Sequence, residues 1–404
     1  MENPYVLDAT GADVQGEAAK LRERGPVTPV ELPGGVAAWA VTGHEELRGL
    51  LADPLVSKNP GLHWAAWIDG RIPPDWPLSP WVSVHNMFTA YGDDHRRLRT
   101  IISRAFTPRR TEALRPAVAE ITRELVAALA AAPGGRADLR EEFAYPLPIE
   151  VICRLFGVPD GARPSLRRCV DGVFNTALTA ERSLANQREL HGILRDLVEA
   201  RRREPADDLA GVLVSARDEA GSRLGEDELV DTLILMISAG HETTVNLLDQ
   251  AILAMLTHPE QYARVRAGEV PWSEVIEETL RWQAPVANLP LRYAVADVEV
   301  GGVTIPKGEA ILACYAAAGR DRALHGDGAD AFDIARAGKE HLSFGYGVHF
   351  CVGKHLALLE AEIALPALFG RFPDMALAVD PGELRPMESF ISNGHRELPV
   401  QLNC

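Results

Sequence analysis

The stretch His341–Gly353 reads His-Leu-Ser-Phe-Gly-Tyr-Gly-Val-His-Phe-Cys-Val-Gly and holds one thiol, Cys351, in a frame of Phe344, Gly347 and Gly353. The run Leu356–Leu365 that follows is amphipathic at helical spacing, so the loop delivers the thiol to a helix start. There, free backbone N–H groups and the positive end of the helix dipole stabilise a thiolate. Gly345 and Gly347 allow positive φ and close approach to a flat object, and Gly353 lets the helix start sit tight against it. A haem plane is such an object. The bland alternative is a buried structural cysteine behind a glycine-rich turn.

A second chemical stretch lies in the longest periodic segment, Asp227–Thr257, which ends before Pro259. Met236, Gly240, Thr243 and Leu247 fall at i, i+4, i+7 and i+11, on one apolar face. Glycine in mid-helix costs about 1 kcal/mol relative to alanine, so something must gain from it. Gly240 leaves room for a small ligand, and Thr243 can either bond back to a carbonyl or turn its hydroxyl to that ligand. Glu242 is a carboxylate in an apolar helix and a candidate proton relay. A kinked core helix with locally satisfied polar groups is the plainer reading. Leu233–Ile237 is apolar, but His241, Glu242 and Asn246 interrupt it too soon for a membrane span.

Charged residues mark three further places. In Asp93–Arg99 a helix opens with acidic residues, and His95 and Arg99 share one face, able to hold carboxylates, while Arg96 and Arg97 point elsewhere. A solvated charged face explains such a run equally well. Glu278 and Arg281, in a helix from Trp272 to Trp282, are spaced for an ion pair. Arg292 sits in an extended segment, Leu289–Ala294.

The remaining pattern must position these groups. Pro26–Thr42 reads as a β-hairpin turning at Pro33-Gly34-Gly35. Helices are expected over Gly43–Leu51 and Pro108–Ala132. Pro60–Pro80, rich in Pro and Trp, reads as a mobile wall or lid of a ligand pocket, or else as surface aromatics stabilising an irregular loop. Short strands are expected around Val298–Ile305 and Ala310–Tyr315, with Leu377–Val379 and Pro399–Leu402 closing a small sheet around a turn at Ser389–Gly394.

With 404 residues, 47% of them hydrophobic, the chain can bury an extensive core, and no linker or repeat divides it. One domain over 1–404 is expected. A net charge of −16 disfavours nucleic acid as a partner. The cysteines at 153, 169, 314, 351 and 404 are odd in number and scattered, which argues for a reducing compartment and against a disulfide framework or structural zinc. Residues 1–20 carry no apolar core of a signal or anchor, so a cytoplasmic protein off the membrane is expected.

Four signals thus occur in order: Ala239-Gly-x-Glu-Thr243, Glu278-x-x-Arg281, Phe332–Arg336 and Phe344-x-x-Gly347-x-x-x-Cys351-x-Gly353. Over essentially the whole chain this resembles the cytochrome P-450 superfamily of haem-thiolate monooxygenases. Trp81–Arg99 and Leu289–Ala294 look most like its actinomycete family 154. The resemblance implies a mainly α, triangular fold with small β-sheets and haem b buried between the long helix and the cysteine loop. It makes Cys351 the iron ligand with Phe344 near its sulfur, and Ala239 and Gly353 neighbours of the haem. His95, Arg99, Arg292 and His349 would hold the haem propionates, and Glu278, Arg281 and Arg336 would form a buried network on the thiolate side. At Gly319-Arg-Asp-Arg322 the chain departs from the usual Asn-Arg-Asp-Pro, which leaves that loop's conformation open.

For activity, the resemblance implies insertion of one oxygen atom from O2 into a C–H bond, with Gly240, Glu242 and Thr243 serving oxygen and proton delivery. Electrons would come from NAD(P)H through a soluble ferredoxin and its reductase, docking near Arg97, Arg104, Arg109, Arg110 and Lys354; ordinary surface charge is the alternative there. The protein would be a monomer. Trp81, Val82, Asn86, Phe174, Met236, Ala239, Leu289 and Ile391 would face a pocket for a medium to large hydrophobic molecule such as a steroid, terpenoid, macrolide or polyketide. Oxidative coupling or cyclisation is a rival activity, and a non-catalytic haem sensor a rival class.

Overall fold

The long helix forms over Glu226–Thr257 and runs through the largest apolar cluster. Three acidic residues stand in its first turn, where they favour the dipole, and the Glu228 carboxylate accepts the Gly225 N–H at 2.9 Å. Thirty-two residues at helical rise extend about 48 Å, enough to cross the protein. Val230, Leu233, Ile237, Val245, Leu248 and Ile252 are fully buried in the largest apolar cluster, together with Leu359, Leu365 and Leu368 of the cysteine helix, Lys354–Arg371. The computed structural model describes residues 3–73, 75–217, 221 and 223–403; Cys404 lies outside them.

Helices dominate, as expected, and small sheets stand beside them. The hairpin Val27–Leu32 and Val36–Val41 pairs antiparallel around Pro33-Gly34-Gly35. Its second strand runs parallel to Ala310–Cys314, with Trp39 opposite Ile311, and that strand pairs in turn with Asn288–Ala294. Arg292 is thereby placed on an interior strand, next to the edge, of a six-stranded sheet. Ala376–Leu377, Pro399–Gln401 and Arg136–Asp138 close a separate three-stranded sheet. No helix among the described residues is long and apolar enough to cross a membrane.

Two expectations about elements are corrected. The helix expected over Pro108–Ala132 is two, Pro108–Glu112 and Arg115–Ala130, because a fresh start at Pro116 follows the break at Ala113 and Leu114. Pro60–Pro80 contains the short helices Pro60–His63 and Ala65–Ile68, and no described residue of it lines the central cavity. Trp64 and Trp76 are instead buried in a second apolar cluster against the sheet. Trp64 stacks on Tyr293 at 5.2 Å, and the Trp76 indole N–H donates to the Pro33 carbonyl at 2.8 Å. The aromatics stabilise an irregular segment, the plainer of the two readings.

Candidate active site

The cysteine loop bends through Gly345 and Gly347, both at φ +71°. A Cβ on Gly347 would lie 2.6 Å from the Leu51 carbonyl oxygen, so both conformation and space require glycine there. The Cys351 N–H donates to the Phe344 carbonyl at 2.9 Å, which closes the loop just before the helix begins at Lys354. Burial pushes the Cys351 thiol up, while the N–H groups of Gly353 and Lys354 and the Arg99 charge act to lower it. Gly353 is in the right-handed helical region, and a Cβ there would make only an ordinary contact, 3.8 Å, with the sulfur.

Cys351 borders a cavity of about 220 Å³, and its accessible surface faces that cavity. Met236, Ala239, Gly240, Thr243 and Leu247 line it from the long helix, Leu289 and Arg292 from the sheet, and Phe344, His349 and Gly353 from the cysteine loop. Arg99 joins them from the helix Gly92–Ala105, its guanidinium donating to the Phe350 carbonyl at 2.5 Å. His95, one turn earlier, is buried with its ring 4.2 Å from that of His349. Burial, then the Arg99 charge, lowers His95 to about 4. The stripe read from helical spacing and the cationic residues therefore converge with the thiol on one space.

Three residues of the long helix decide or correct the expectations for it. The Thr243 hydroxyl bonds back to the Ala239 carbonyl at 2.7 Å, leaving its oxygen lone pairs for the cavity. A Cβ on Gly240 would stand 2.7 Å from Ile152 Cδ1, so this glycine first serves close packing against the helix Pro146–Phe156. Glu242 does not line the cavity. One residue of helical rotation turns its carboxylate to Arg140 and to Ser392, each at 3.0 Å, in a cluster that includes Asp249, Asn246, His241 and Asp171.

Of the expected pocket residues, Met236, Ala239 and Leu289 line the cavity, whereas Trp81, Val82, Asn86, Phe174 and Ile391 do not. Trp81, Val82, Phe174 and Ile391 pack into the second apolar cluster, where the Trp81 indole donates to Val173 and its ring meets Phe174 edge-on. The Asn86 amide donates to the Asp231 carbonyl at 2.9 Å and borders a separate polar cleft. Met87, Phe88, Ile152, Tyr315 and Lys58 line the cavity without having been anticipated. Phe88 lies only two residues beyond Asn86; Lys58 carried a weak signal as one of five lysines in the chain.

Glu278 and Arg281 are completely buried and joined through two 2.7 Å bonds. Arg281 also donates to the carbonyls of Gly319, Ala329 and Ala331, and Arg336 reaches Glu278 at 3.4 Å. The loop left open at Gly319–Arg322 is ordered by these contacts and by Asp321, whose carboxylate accepts the N–H groups of Ala323 and His44.

A deep thiol at a helix start, facing an apolar stripe across a cavity edged by cations, on a mainly helical fold, defines a haem-thiolate oxidoreductase. The chain belongs to the cytochrome P450 family, whose model matches residues 78–269 and 272–387. It is 46% identical over 400 residues, 99% of this chain and 97% of the relative, to 2-hydroxy-5-methyl-1-naphthoate 7-hydroxylase of Streptomyces carzinostaticus. The monooxygenase PikC of Streptomyces venezuelae is 40% identical, covering 99% and 95%. Among solved structures, CYP154A1 of Streptomyces coelicolor A3(2) superposes with a TM-score of 0.94 at 51% identity, covering 99% and 100%. CYP154C4 of Streptomyces sp. ATCC 11861, solved with testosterone bound, gives 0.96 at 43%, covering 100% and 99%. The protein is thus an actinomycete-type, family 154-like cytochrome P450, an enzyme with haem iron as cofactor and O2 as co-substrate.

The residues present fit that cofactor. Arg292 Nη1 and His95 Nε2 are buried without a protein partner, and among the described residues no carboxylate forms a salt bridge with Arg99 or Arg292. When bound, thiolate-ligated haem supplies the activation of O2.

Proposed function

We propose that the whole chain is one haem-thiolate monooxygenase domain that hydroxylates a hydrophobic, fused-ring molecule. The carrying observation is that Cys351, the cationic edge and the Met236–Leu247 stripe border the same cavity. In this reading Cys351 ligates iron, and His95, Arg99, Arg292 and His349 hold the propionates. Thr243, with its hydrogen committed to Ala239, accepts a hydrogen bond from water in the cavity. Glu242 acts behind it, orienting the helix through Arg140. Met87, Phe88, Leu235 and Val286 add apolar wall and only position the substrate. The fused-ring class is supported by two relatives, one named for a naphthoate and one solved with a steroid.

Electrons come from NAD(P)H through a ferredoxin and its reductase. Exposed Arg104, Arg109 and Arg110, with half-buried Lys354, supply a basic docking face. Arg97 leaves that set, because Asp94 and Glu228 neutralise it.

A second reading, oxidative bond formation without oxygen insertion, is favoured by similarity to CxnD, named for C–S bond formation, at 33% identity and a TM-score of 0.90. The test is the carbon monoxide difference spectrum of the reduced protein, followed by product mass. A red-shifted thiolate band that disappears in Cys351→Ala and a product heavier by one oxygen are expected. An imidazole-like band would overturn the ligand assignment, and a product lacking two hydrogens would select the second reading.

A further inference from the structure

Lys58 follows the short strand Val56–Ser57 and is 2% exposed, the only buried residue among the five lysines. Its ammonium group has three donors and is buried away from the bulk solvent. One reaches the Leu291 carbonyl at 3.3 Å, and the group stands 3.7 Å from the centre of the Phe88 ring. No carboxylate of the described residues forms a salt bridge with it. A buried ammonium in that state is strongly disfavoured, and a lysine kept only for its apolar stem would turn its head outward. Lys58 instead lines the central cavity together with Arg99, Arg292 and His349. Burial and the Arg292 charge hold it well below the usual lysine range, a state that a nearby anion reverses. Met and Leu would fill the same space without this penalty, so the cation has an anionic occupant to meet.

We propose that Lys58 binds a carboxylate in this cavity, and that the carboxylate is a haem propionate held jointly with Arg292 and His349. This rests on the haem reading above. The alternative source of the same chemistry is a carboxylate carried by the substrate. The propionate is favoured because Arg292 Nη1 is also buried without a partner, and one site satisfies both residues.

The test uses the holoprotein, confirmed first by its thiolate carbon monoxide band, in wild type, Lys58→Met and Lys58→Arg. Each is loaded with natural haem or with haem whose propionates are methyl esters, and haem transfer to excess apomyoglobin is timed. Lys58→Met is expected to speed loss of natural haem roughly tenfold or more, the scale of one charge-assisted hydrogen bond, yet change loss of the ester less than about twofold. Lys58→Arg is expected to recover most of the difference. Equal acceleration with both haems would assign Lys58 to local folding and overturn the proposal, as would unchanged loss of natural haem. Unchanged haem loss with weakened binding of 1-naphthoate, read by its Soret shift, would assign the lysine to a substrate carboxylate. Should Lys58→Met fail to fold, Lys58→Gln is put through the same comparison: faster loss of natural haem with ester loss unchanged supports the proposal, and equal acceleration of both haems, or of neither, overturns it. A wild type that takes up no haem would overturn the underlying reading, and this proposal with it.

Discussion

Two groups of buried charge stand in this molecule in opposite conditions. Around Arg281 the set is closed: two bonds to Glu278 and three to backbone carbonyls use all five guanidinium donors. At the cavity edge the set is open: Lys58, Arg99 and Arg292 converge without a salt-bridge partner among the described residues, and Arg292 Nη1 has no bond at all. A closed set has done its work when the chain folds. An open set is incomplete until a ligand supplies the missing charge, which is how a buried polar group marks function rather than architecture.

Breaking the closed set should do the greatest damage to the fold. Glu278→Gln strands Arg281 and is expected to lower unfolding free energy by ~3–5 kcal/mol, read by urea denaturation of the protein without haem. Arg292→Met, in the open set, should leave that same denaturation curve within about 1 kcal/mol and accelerate haem loss roughly tenfold. If both variants destabilised the haem-free protein equally, the contrast between the sets would be wrong.

The long helix sharpens the contrast within one turn. Thr243 faces the cavity and Glu242 faces the Arg140 cluster. Thr243→Ala is expected to preserve stability while diverting electrons from product to peroxide, roughly tenfold by product per O2 consumed. Glu242→Gln should lower stability by ~1–3 kcal/mol in a thermal melt, because Arg140 loses its nearest carboxylate.

The smallest effect is in pH dependence. Burial raises Asp171 from its ordinary 3.8 to about 6, although the Tyr145 hydroxyl donates to it at 2.6 Å. Its folded form therefore holds a proton that the unfolded chain releases, so stability falls as pH rises from about 4 to about 6 and is level above that. Asp171→Asn should flatten the melting temperature over that window; an unchanged slope would show that another group carries it.

Much of this was legible along the chain because local physics decided it. Positive-φ glycines before Cys351, the helical stripe Met236–Leu247 and the His95–Arg99 face depend on spacing alone, and all lead to the cavity or its edge. Trp81, Val82, Phe174 and Ile391 failed for a tertiary reason: apolar residues look the same in sequence whether they face a ligand or each other. Glu242 is legible in the sequence as a carboxylate in an apolar helix, but its partner lies far off in sequence, at Arg140.

By itself, then, the sequence determined the mainly helical class, the thiol at a helix start and the ion-paired Glu278–Arg281 turn, since each is set by residues within a few positions of one another. Tertiary structure alone decided which polar groups would find protein partners. Lys58 and Arg281 are both long cations in a chain of net charge −16. Long-range packing surrounds one with oxygens and leaves the other facing a cavity, because hydrogen-bond satisfaction depends on chain segments that meet only after folding.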